Sequence, residues 1–222
     1  MAERVLVIAP HPDDEVLGVG GTMARLADEG AEVYVVVATE GKQPHYSAES
    51  VSQVRQEALA AHRTLGVTQT FFVALPAAMV DTVPHREVNA ELGRVFRQVR
   101  PQTVFVPFVG DMHLDHQLIF MSVMVASRPV DQTAPRRVYA YETLSETNWN
   151  APYLTPGFAP NVFIDIAEFL PQKLEAMKQY VSQLRPFPSE RSLESIQALA
   201  VLRGSTVAAH AAEAFVLVRE IK

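Results

Sequence analysis

The first residues able to carry chemistry lie near the amino terminus, in the run Pro10-His11-Pro12-Asp13-Asp14-Glu15. Burying unpaired carboxylates is costly unless a cation or hydrogen bonds compensate. His11 and Asp14 are three residues apart across a turn fixed by Pro12, so both could reach one ion. Imidazole and carboxylate ligands suit Zn²⁺, and Fe²⁺, Mn²⁺ or Co²⁺ are also compatible. The alternative is a solvated loop whose acidic residues only cap the next helix.

A second group of possible ligands lies in the middle of the chain, in Gly110-Asp111-Met112-His113-Leu114-Asp115-His116. His113 and His116 have the spacing that puts two side chains on one side of a helical turn. This spacing alone is weak evidence for a metal site, because one histidine of such a pair is more often structural. Its meaning depends on what the fold places beside it.

The elements that must position the two groups follow a strand-then-helix pattern. Continuous apolar runs predict buried strands, and apolar residues at helical spacing before Gly or Pro predict helices. The predicted strands are 4–9, 33–38, 70–75 and 103–108, and the predicted helices are 16–29, 50–65 (with Ser50 as its cap), 86–99 and 115–126. This series is typical of an α/β fold with a doubly wound, mostly parallel sheet flanked by helices.

The topology of such a sheet brings the two groups together. Right-handed crossovers and the usual chain reversal place the first predicted strand beside the fourth. Their carboxyl ends then flank the switch point where these folds bind ligands. Residues 11–15 follow the first strand and residues 110–116 follow the fourth. The sequence therefore predicts one metal site shared by both turns.

The second half of the chain is less regular. We expect one domain over 1–222, with the strand–helix units in 1–130 and a substrate loop and helical part in 131–222. The further predicted strands are 138–143 and 161–166, the further helices are 167–185 and 189–203, and 212–220 is a strand or a short helix with a tail. The long Pro-, Asn- and Thr-rich segment 144–161 is predicted to be an ordered loop near the site.

Composition excludes several classes of protein. The 222 residues are 48% apolar, which excludes a disordered chain, and no window is apolar enough for a membrane span. The absence of cysteine excludes disulfides, thiolate metal sites and a cysteine nucleophile. With a net charge of −6 and no basic cluster, no nucleic-acid partner is expected. The beginning of the chain does not look like a secretory signal, so we expect a cytoplasmic protein.

A glycine-rich stretch, Gly18-Val19-Gly20-Gly21, resembles part of a dinucleotide-binding fingerprint. The third glycine of that fingerprint is replaced by Met23, and the acidic residues before the stretch would repel a pyrophosphate. We therefore reject a nicotinamide oxidoreductase. The glycines are expected to allow close packing of the helix start below the metal.

APHPDDEVLGVGGT followed by GDMHLDH resembles the LmbE/PIG-L family of zinc-dependent N-acetylglucosamine deacetylases. Weaker similarity continues in VRQEALAAHRTLGV, YETLSETNW and the RG and AEAF stretches. The resemblance implies a Rossmann-like fold and a catalytic Zn²⁺. It also implies roles for six residues: His11, Asp14 and His116 as metal ligands, Asp13 as general base, His113 as general acid or oxyanion partner, and Asp115 as the residue that orients His113.

These roles imply a reaction. A catalytic zinc ion keeps an open position for water, whose proton Asp13 can take. The resulting hydroxide attacks the amide carbonyl, while the metal and a protonated His113 stabilise the oxyanion. We expect Asp115 to raise the pKa of His113 and keep it charged. The products would be acetate and a free amino sugar.

Four further residues are candidates for substrate binding: Arg55, Glu142, Trp149 and His210. Three of them have an ordinary structural alternative: Arg55 could pair with Glu49 or Glu57, Trp149 could belong to the core, and an isolated His210 favours a structural role. The remaining histidines without ligand-spaced neighbours, at 45, 62 and 85, are expected at the surface.

Two other functions stay open at this point. One is metal-dependent hydrolysis of another ester or a phosphoester, which commonly needs two metals and more ligands. The other is a non-catalytic protein that binds a metal or ligand, against which intact Asp13 and His113 argue. The expected partner is a small N-acetylated sugar, and a symmetric homo-oligomer is possible.

Overall fold

The computed structural model describes residues 2–222, which form one seven-stranded sheet covered by six α-helices. The strands are β1 (Arg4–Ala9), β2 (Glu32–Glu40), β3 (Gln69–Pro76), β4 (Thr103–Pro107), β5 (Arg137–Tyr141), β6 (Val162–Asp165) and β7 (Ala212–Glu220). The helices are α1 (Asp14–Asp28), α2 (Ala48–Thr64), α3 (His85–Val99), α4 (Leu114–Ala126), α5 (Leu170–Gln179) and α6 (Leu193–Ser205). A 3-10 turn spans Val80–Thr82.

The strand order is β3-β2-β1-β4-β5-β7-β6. The first five strands are parallel, and β7 runs antiparallel between β5 and β6. The α/β class and the mostly parallel doubly wound sheet are therefore confirmed. So is the adjacency on which the site depends, because β1 pairs directly with β4, Val7 lying opposite Phe105. Residues 212–220, predicted as a strand or a short helix with a tail, form strand β7.

The helices lie on both faces of the sheet, which explains the continuous apolar runs. In β1, Val5 and Val7 face the core shared with α1, α2 and α5, whereas Leu6 and Ile8 face the core shared with α3 and α4. A strand buried on both faces has no polar side to present. Across residues 2–222, every helix is too short or too polar to cross a bilayer.

Element boundaries differ from the predictions mainly where side chains decide them. Ser47, not Ser50, caps α2, because its hydroxyl accepts the Ser50 N–H. The predicted helix 167–185 ends at Gln179, and the helix predicted from 189 begins at Leu193. Pro186 and Pro188 keep the segment between α5 and α6 irregular. That irregular segment brings Arg191 to the site described below.

The glycine-rich part of α1 packs closely, as predicted. A Cβ atom on Gly18 would lie 2.2 Å from the Tyr141 ring, so only glycine fits there. The Tyr141 hydroxyl donates a hydrogen bond to the Ile8 carbonyl at 2.7 Å. This contact joins α1, β1 and β5 directly below the turn that carries His11.

Candidate metal centre and catalytic residues

The turn after β1 has an unusual backbone. Asp13, the residue before α1, has φ of 103°, in the left-handed region that non-glycine residues avoid. Strain of this kind costs on the order of 1–3 kcal/mol and persists only when the surroundings enforce it. It separates the side chains of Asp13 and Asp14, so that the two neighbouring carboxylates have different partners.

His11, Asp14 and His116 form a group able to hold a metal ion. One ligand atom from each residue lies within 4.8 Å of the others. Asp14 and His116 are at most 1% exposed. Within residues 2–222, Oδ1 of Asp14 and Nε2 of His116 have no hydrogen-bond partner. Buried, unpartnered lone pairs on a His/Asp/His set fit a divalent cation.

Both histidines of this group are held by a second carboxylate. Nε2 of His11 lies 3.0 Å from Oδ2 of Asp115, and Nδ1 of His116 lies 2.8 Å from Oδ2 of Asp111. These contacts leave Nδ1 of His11 and Nε2 of His116 for the ion. A carboxylate behind a ligating histidine fixes its tautomer and raises its basicity. Asp111 lies within the second sequence cluster, but no role was predicted for it.

In the absence of a metal ion, the two histidines of the group hold their protons tightly and Asp14 stays ionised. Burial opposes a charged His11, but hydrogen bonds to Asp115 and Asp14 raise its pKa to about 9. Burial likewise opposes a charged His116, and the charge of Asp14 raises its pKa to about 10. Asp14 is buried too, yet the two histidines hold the pKa of its carboxyl well below the usual range. A cation binding here replaces these protons.

A second cluster, His11, His113 and Asp115, also brings ligand atoms close together, but its carboxylate is already used. Oδ2 of Asp115 accepts from the Ala78 N–H at 2.7 Å and lies beside His11, and Oδ1 accepts from the Val80 N–H at 3.2 Å. The group with free donor atoms is therefore His11, Asp14 and His116.

The expected link between Asp115 and His113 needs correction. The Asp115 carboxylate bonds His11, and only its backbone N–H orients His113, by donating to Nδ1 at 3.1 Å. Burial and the nearby His11 lower the pKa of His113, whereas a raised pKa was expected. His113 is therefore a neutral imidazole near pH 7, with its proton on Nε2. It can donate a hydrogen bond rather than act as a charged acid.

Asp13 is a buried carboxylate that is free to react. It is 1% exposed, and neither of its carboxylate oxygens has a hydrogen-bond partner among residues 2–222. Nη1 of Arg191 lies 3.2 Å from Oδ2. Burial raises the pKa of Asp13 to about 8, and the Arg191 charge opposes this rise. Sequence reasoning missed Arg191, because no local spacing connects it to Asp13.

The buried side chain of Glu15 stabilises the strained backbone at Asp13. Its Oε1 accepts from the Tyr180 hydroxyl at 2.6 Å and lies 3.0 Å from Nε2 of His62. Its Oε2 accepts the Asp13 N–H at 3.2 Å. The prediction of a surface position is wrong for His62, which is 2% exposed and is also bound to Thr70 at 2.7 Å. His45 and His85 are exposed, as expected.

A cavity of about 320 Å³ opens beside these residues. Its lining includes His11, Asp13, His113, Arg191 and Glu146. The cavity is large enough for a sugar-sized ligand, and the catalytic candidates Asp13 and His113 form part of its wall.

Of the four predicted substrate-binding residues, the structure places only Arg55 on this cavity. Its guanidinium stacks 4.1 Å from the centre of the Phe72 ring and pairs with neither Glu49 nor Glu57. Glu142 is instead bonded to Arg203 at 2.6 and 2.7 Å. Trp149 is 58% exposed, so it is not a core residue either, and His210 is exposed. The last three lie outside the cavity lining, because their loops turn them to other partners or to solvent.

The Asp115–His11 contact leads to a prediction about metal affinity. Asp115→Asn keeps the volume and one oxygen acceptor but removes the charge behind His11. Such partners contribute about 10- to 100-fold to metal affinity, so we expect a loss of that size. Competition with a chromogenic chelator measures it. Asp81→Asn, at an exposed aspartate of the neighbouring 3-10 turn, is the matched control. Equal affinity in both variants would contradict the assignment.

Three curated proteins have sequences similar to this chain. The deacetylase of 1D-myo-inositol 2-acetamido-2-deoxy-alpha-D-glucopyranoside from Kineococcus radiotolerans is 34% identical over 149 residues, which cover 51% of this chain and 41% of that protein. The match therefore spans about two fifths of that relative. The uncharacterized deacetylase YaiS of Escherichia coli is 30% identical, over 80% of this chain and 90% of its own length. Diacetylchitobiose deacetylase of Thermococcus kodakarensis is 29% identical, over 85% of this chain and 72% of its own length.

Solved structures share the whole fold. The conserved protein TT1542 from Thermus thermophilus superposes with a TM-score of 0.80 at 26% identity, covering 100% of this chain and 97% of the other. GalB, a 4-carboxy-2-hydroxymuconate hydratase from Pseudomonas putida, reaches 0.77 at 21% identity, covering 99% and 98%, which shows likeness of fold alone. A fold shared with a hydratase does not by itself select a reaction.

The family assignment comes from the part of the chain that holds both halves of the site. The model of the PIG-L family, described as GlcNAc-PI de-N-acetylase, matches residues 6–127, which include β4, all of β1 except its first two residues, and the turns that follow both strands. This chain is a member of the PIG-L family.

Proposed function

We propose that this protein is a zinc-dependent deacetylase that removes the N-acetyl group from an N-acetylglucosamine-type amino sugar or its conjugate. One observation carries the proposal. Ligand atoms of His11, Asp14 and His116 lie close enough together to hold one ion, those of Asp14 and His116 are buried without partners in residues 2–222, and the cavity wall beside them holds the buried carboxylate of Asp13. Two of the relatives, the deacetylase from Kineococcus radiotolerans and that from Thermococcus kodakarensis, are named for acetylated sugars or sugar conjugates, which supports the choice of substrate.

The donor set supports zinc as the ion. Two imidazoles and one carboxylate without sulfur match catalytic zinc sites, although the same ligands accept Fe²⁺, Mn²⁺ or Co²⁺. When bound, the ion supplies Lewis acidity for a water molecule and for the acetyl carbonyl.

Asp13 is the proposed general base. Its carboxylate is buried without hydrogen bonds, and it faces the cavity. It takes a proton from the attacking water and later passes it to the nitrogen that leaves. Arg191 maintains enough ionised Asp13 for the first step, because a cation 3.2 Å away favours the carboxylate.

His113 is the proposed oxyanion partner. The Asp115 N–H occupies Nδ1, so the N–H at Nε2 can donate to the carbonyl oxygen as negative charge develops there. The C–N bond of the amide then breaks, and the leaving nitrogen receives the proton held by Asp13. The products are acetate and the free amino sugar.

The two alternatives fit the site less well. A two-metal phosphoesterase needs more free ligands, and in residues 2–222 the second ligand cluster has its carboxylate already hydrogen-bonded. A protein that only binds a metal gains nothing from a strained, buried Asp13. Cytoplasmic location and homo-oligomeric assembly stay predictions from the sequence.

The direct test is a screen of N-acetylated sugars for acetate release. Protein stripped with a chelator and reloaded with Zn²⁺ is compared with the stripped protein, using N-acetylglucosamine, diacetylchitobiose and a glucosaminyl-inositol conjugate. We expect release from at least one of them only after reloading. Turnover of none, or equal turnover without metal, would contradict the proposal.

The contact between Arg191 and Asp13 leads to a prediction about the pH dependence of kcat/KM. Arg191→Gln removes the cation that favours ionised Asp13, so the pKa of Asp13 rises and less base is available at a given pH. The acidic limb of kcat/KM should therefore move upward by about one pH unit or more, with the loss largest at low pH and shrinking as pH rises. Arg63→Gln, at an exposed arginine of α2, is the control. A uniform loss at all pH values would assign Arg191 another role.

A further inference from the structure

Glu146 is a second buried acid at the cavity; no role was predicted for it from the sequence, and the proposed reaction does not use it. It lies in the loop after β5, is 8% exposed, and lines the cavity with Asp13, His113 and Arg191. Its backbone is held at two points: its N–H donates to the Thr143 carbonyl at 3.2 Å, and its carbonyl accepts from the Met112 N–H at 3.3 Å. The loop thus carries Glu146 directly against the turn that bears His113.

The side chain of Glu146 differs from those of the other buried glutamates. Its Oε2 is buried without a hydrogen bond to any group in residues 2–222. Other buried glutamates of this protein are satisfied: Glu15 by Tyr180, Glu57 by Ser182, and Glu213 by Lys173. An unsatisfied buried carboxyl costs free energy, so its retention at a cavity wall indicates a ligand that pairs with it.

Two internal explanations for Glu146 do not fit. It does not belong to either group of residues whose ligand atoms converge as a metal site does. Arg191, the nearby cation, directs Nη1 to Asp13 at 3.2 Å and donates to Gln183, also at 3.2 Å. The position of Glu146 leaves its Oε2 available to a donor group of whatever molecule occupies the cavity.

We propose that Glu146 is a specificity-determining residue that accepts a hydrogen bond from a ring hydroxyl of the amino sugar. The inference rests on the proposed function. The acetyl carbonyl oxygen is an acceptor and is engaged by His113, so it cannot be the partner of a carboxylate. The donors that an N-acetylated sugar carries in greatest number are its hydroxyls. A site that pairs with a substrate hydroxyl discriminates strongly against the analogue that lacks it.

The experiment compares Glu146→Ala with wild type, both loaded with Zn²⁺, on N-acetylglucosamine and on its 3-deoxy, 4-deoxy and 6-deoxy analogues. We expect kcat/KM for N-acetylglucosamine to fall about 10- to 100-fold, as for loss of a hydrogen bond to a charged group. For the deoxy analogue that lacks the hydroxyl bound by Glu146, kcat/KM should be equally low in wild type and variant, because neither can form that hydrogen bond. Glu168→Ala, at an exposed glutamate, is the matched control and should behave as wild type on every sugar.

Thermal unfolding separates this role from a structural one. Removing a buried acid without partners should leave the unfolding midpoint unchanged or raise it, both in Glu146→Ala and in the isosteric Glu146→Gln. A variant as active as wild type, an equal loss on all three deoxy analogues, or a lower midpoint would each overturn the inference. If wild type itself released no acetate from any N-acetylated sugar, the proposed function would fail instead.

Discussion

Replacing Asp13 by Asn should lower acetate release by about 10²- to 10⁴-fold, the usual contribution of a general base. The amide has nearly the same shape but cannot accept the proton of water. Asp13 is not among the residues whose ligand atoms lie close enough together to hold a metal ion, so zinc binding should persist. Steady-state kinetics and zinc content per chain, measured on the same preparation, check both parts.

Two comparisons make the Asp13 result interpretable. Asp28→Asn changes an exposed aspartate at the other end of α1 and should leave the rate as in wild type. An Asp13→Asn protein that kept full activity would remove Asp13 from the mechanism. One that lost its zinc together with its activity would show that Asp13 serves the metal.

Replacing His116 by Ala should abolish both zinc binding and turnover. The change removes one of three ligands and leaves Asp111 and Asp14 as buried carboxylates without the imidazole between them. Two remaining ligands do not make a stable zinc site. Zinc per chain after dialysis and acetate release are the measurements.

The His116 prediction also has a matched control. His85→Ala alters an exposed histidine at the start of α3 and should retain one zinc per chain. A His116→Ala protein that retained stoichiometric zinc would show that the ion is held elsewhere.

Both halves of the candidate metal site could be located from the sequence, because their signals are local. His11 with Asp14 and His113 with His116 are close in sequence, and each group directly follows an apolar strand. The parallel pattern then required β1 to lie beside β4, which the sheet order confirms. Ligand-rich turns at the ends of adjacent strands must meet, whatever the remaining sequence does.

The supporting residues could not be predicted, because their partners are distant in sequence. Arg191 reaches Asp13 from an irregular segment, and nothing in its local sequence indicates that contact. Glu142 was a candidate for substrate binding, yet its carboxylate pairs with Arg203, and Glu146, four residues later, lines the cavity. The sequence also does not show which atoms of a residue make a contact: the backbone N–H of Asp115, and not its carboxylate, orients His113.

The anchoring of Glu15 limits how far the motif can be transplanted. Its carboxylate is gripped by Tyr180 after α5 and by His62 of α2, and it in turn holds the Asp13 amide. Copying residues 10–15 into another strand–helix unit would therefore transfer the ligands without the scaffold that bends the backbone. A designed protein would also need the tyrosine and the histidine in the same positions. The smallest transferable site therefore combines residues from α1, from α2 and from the end of α5.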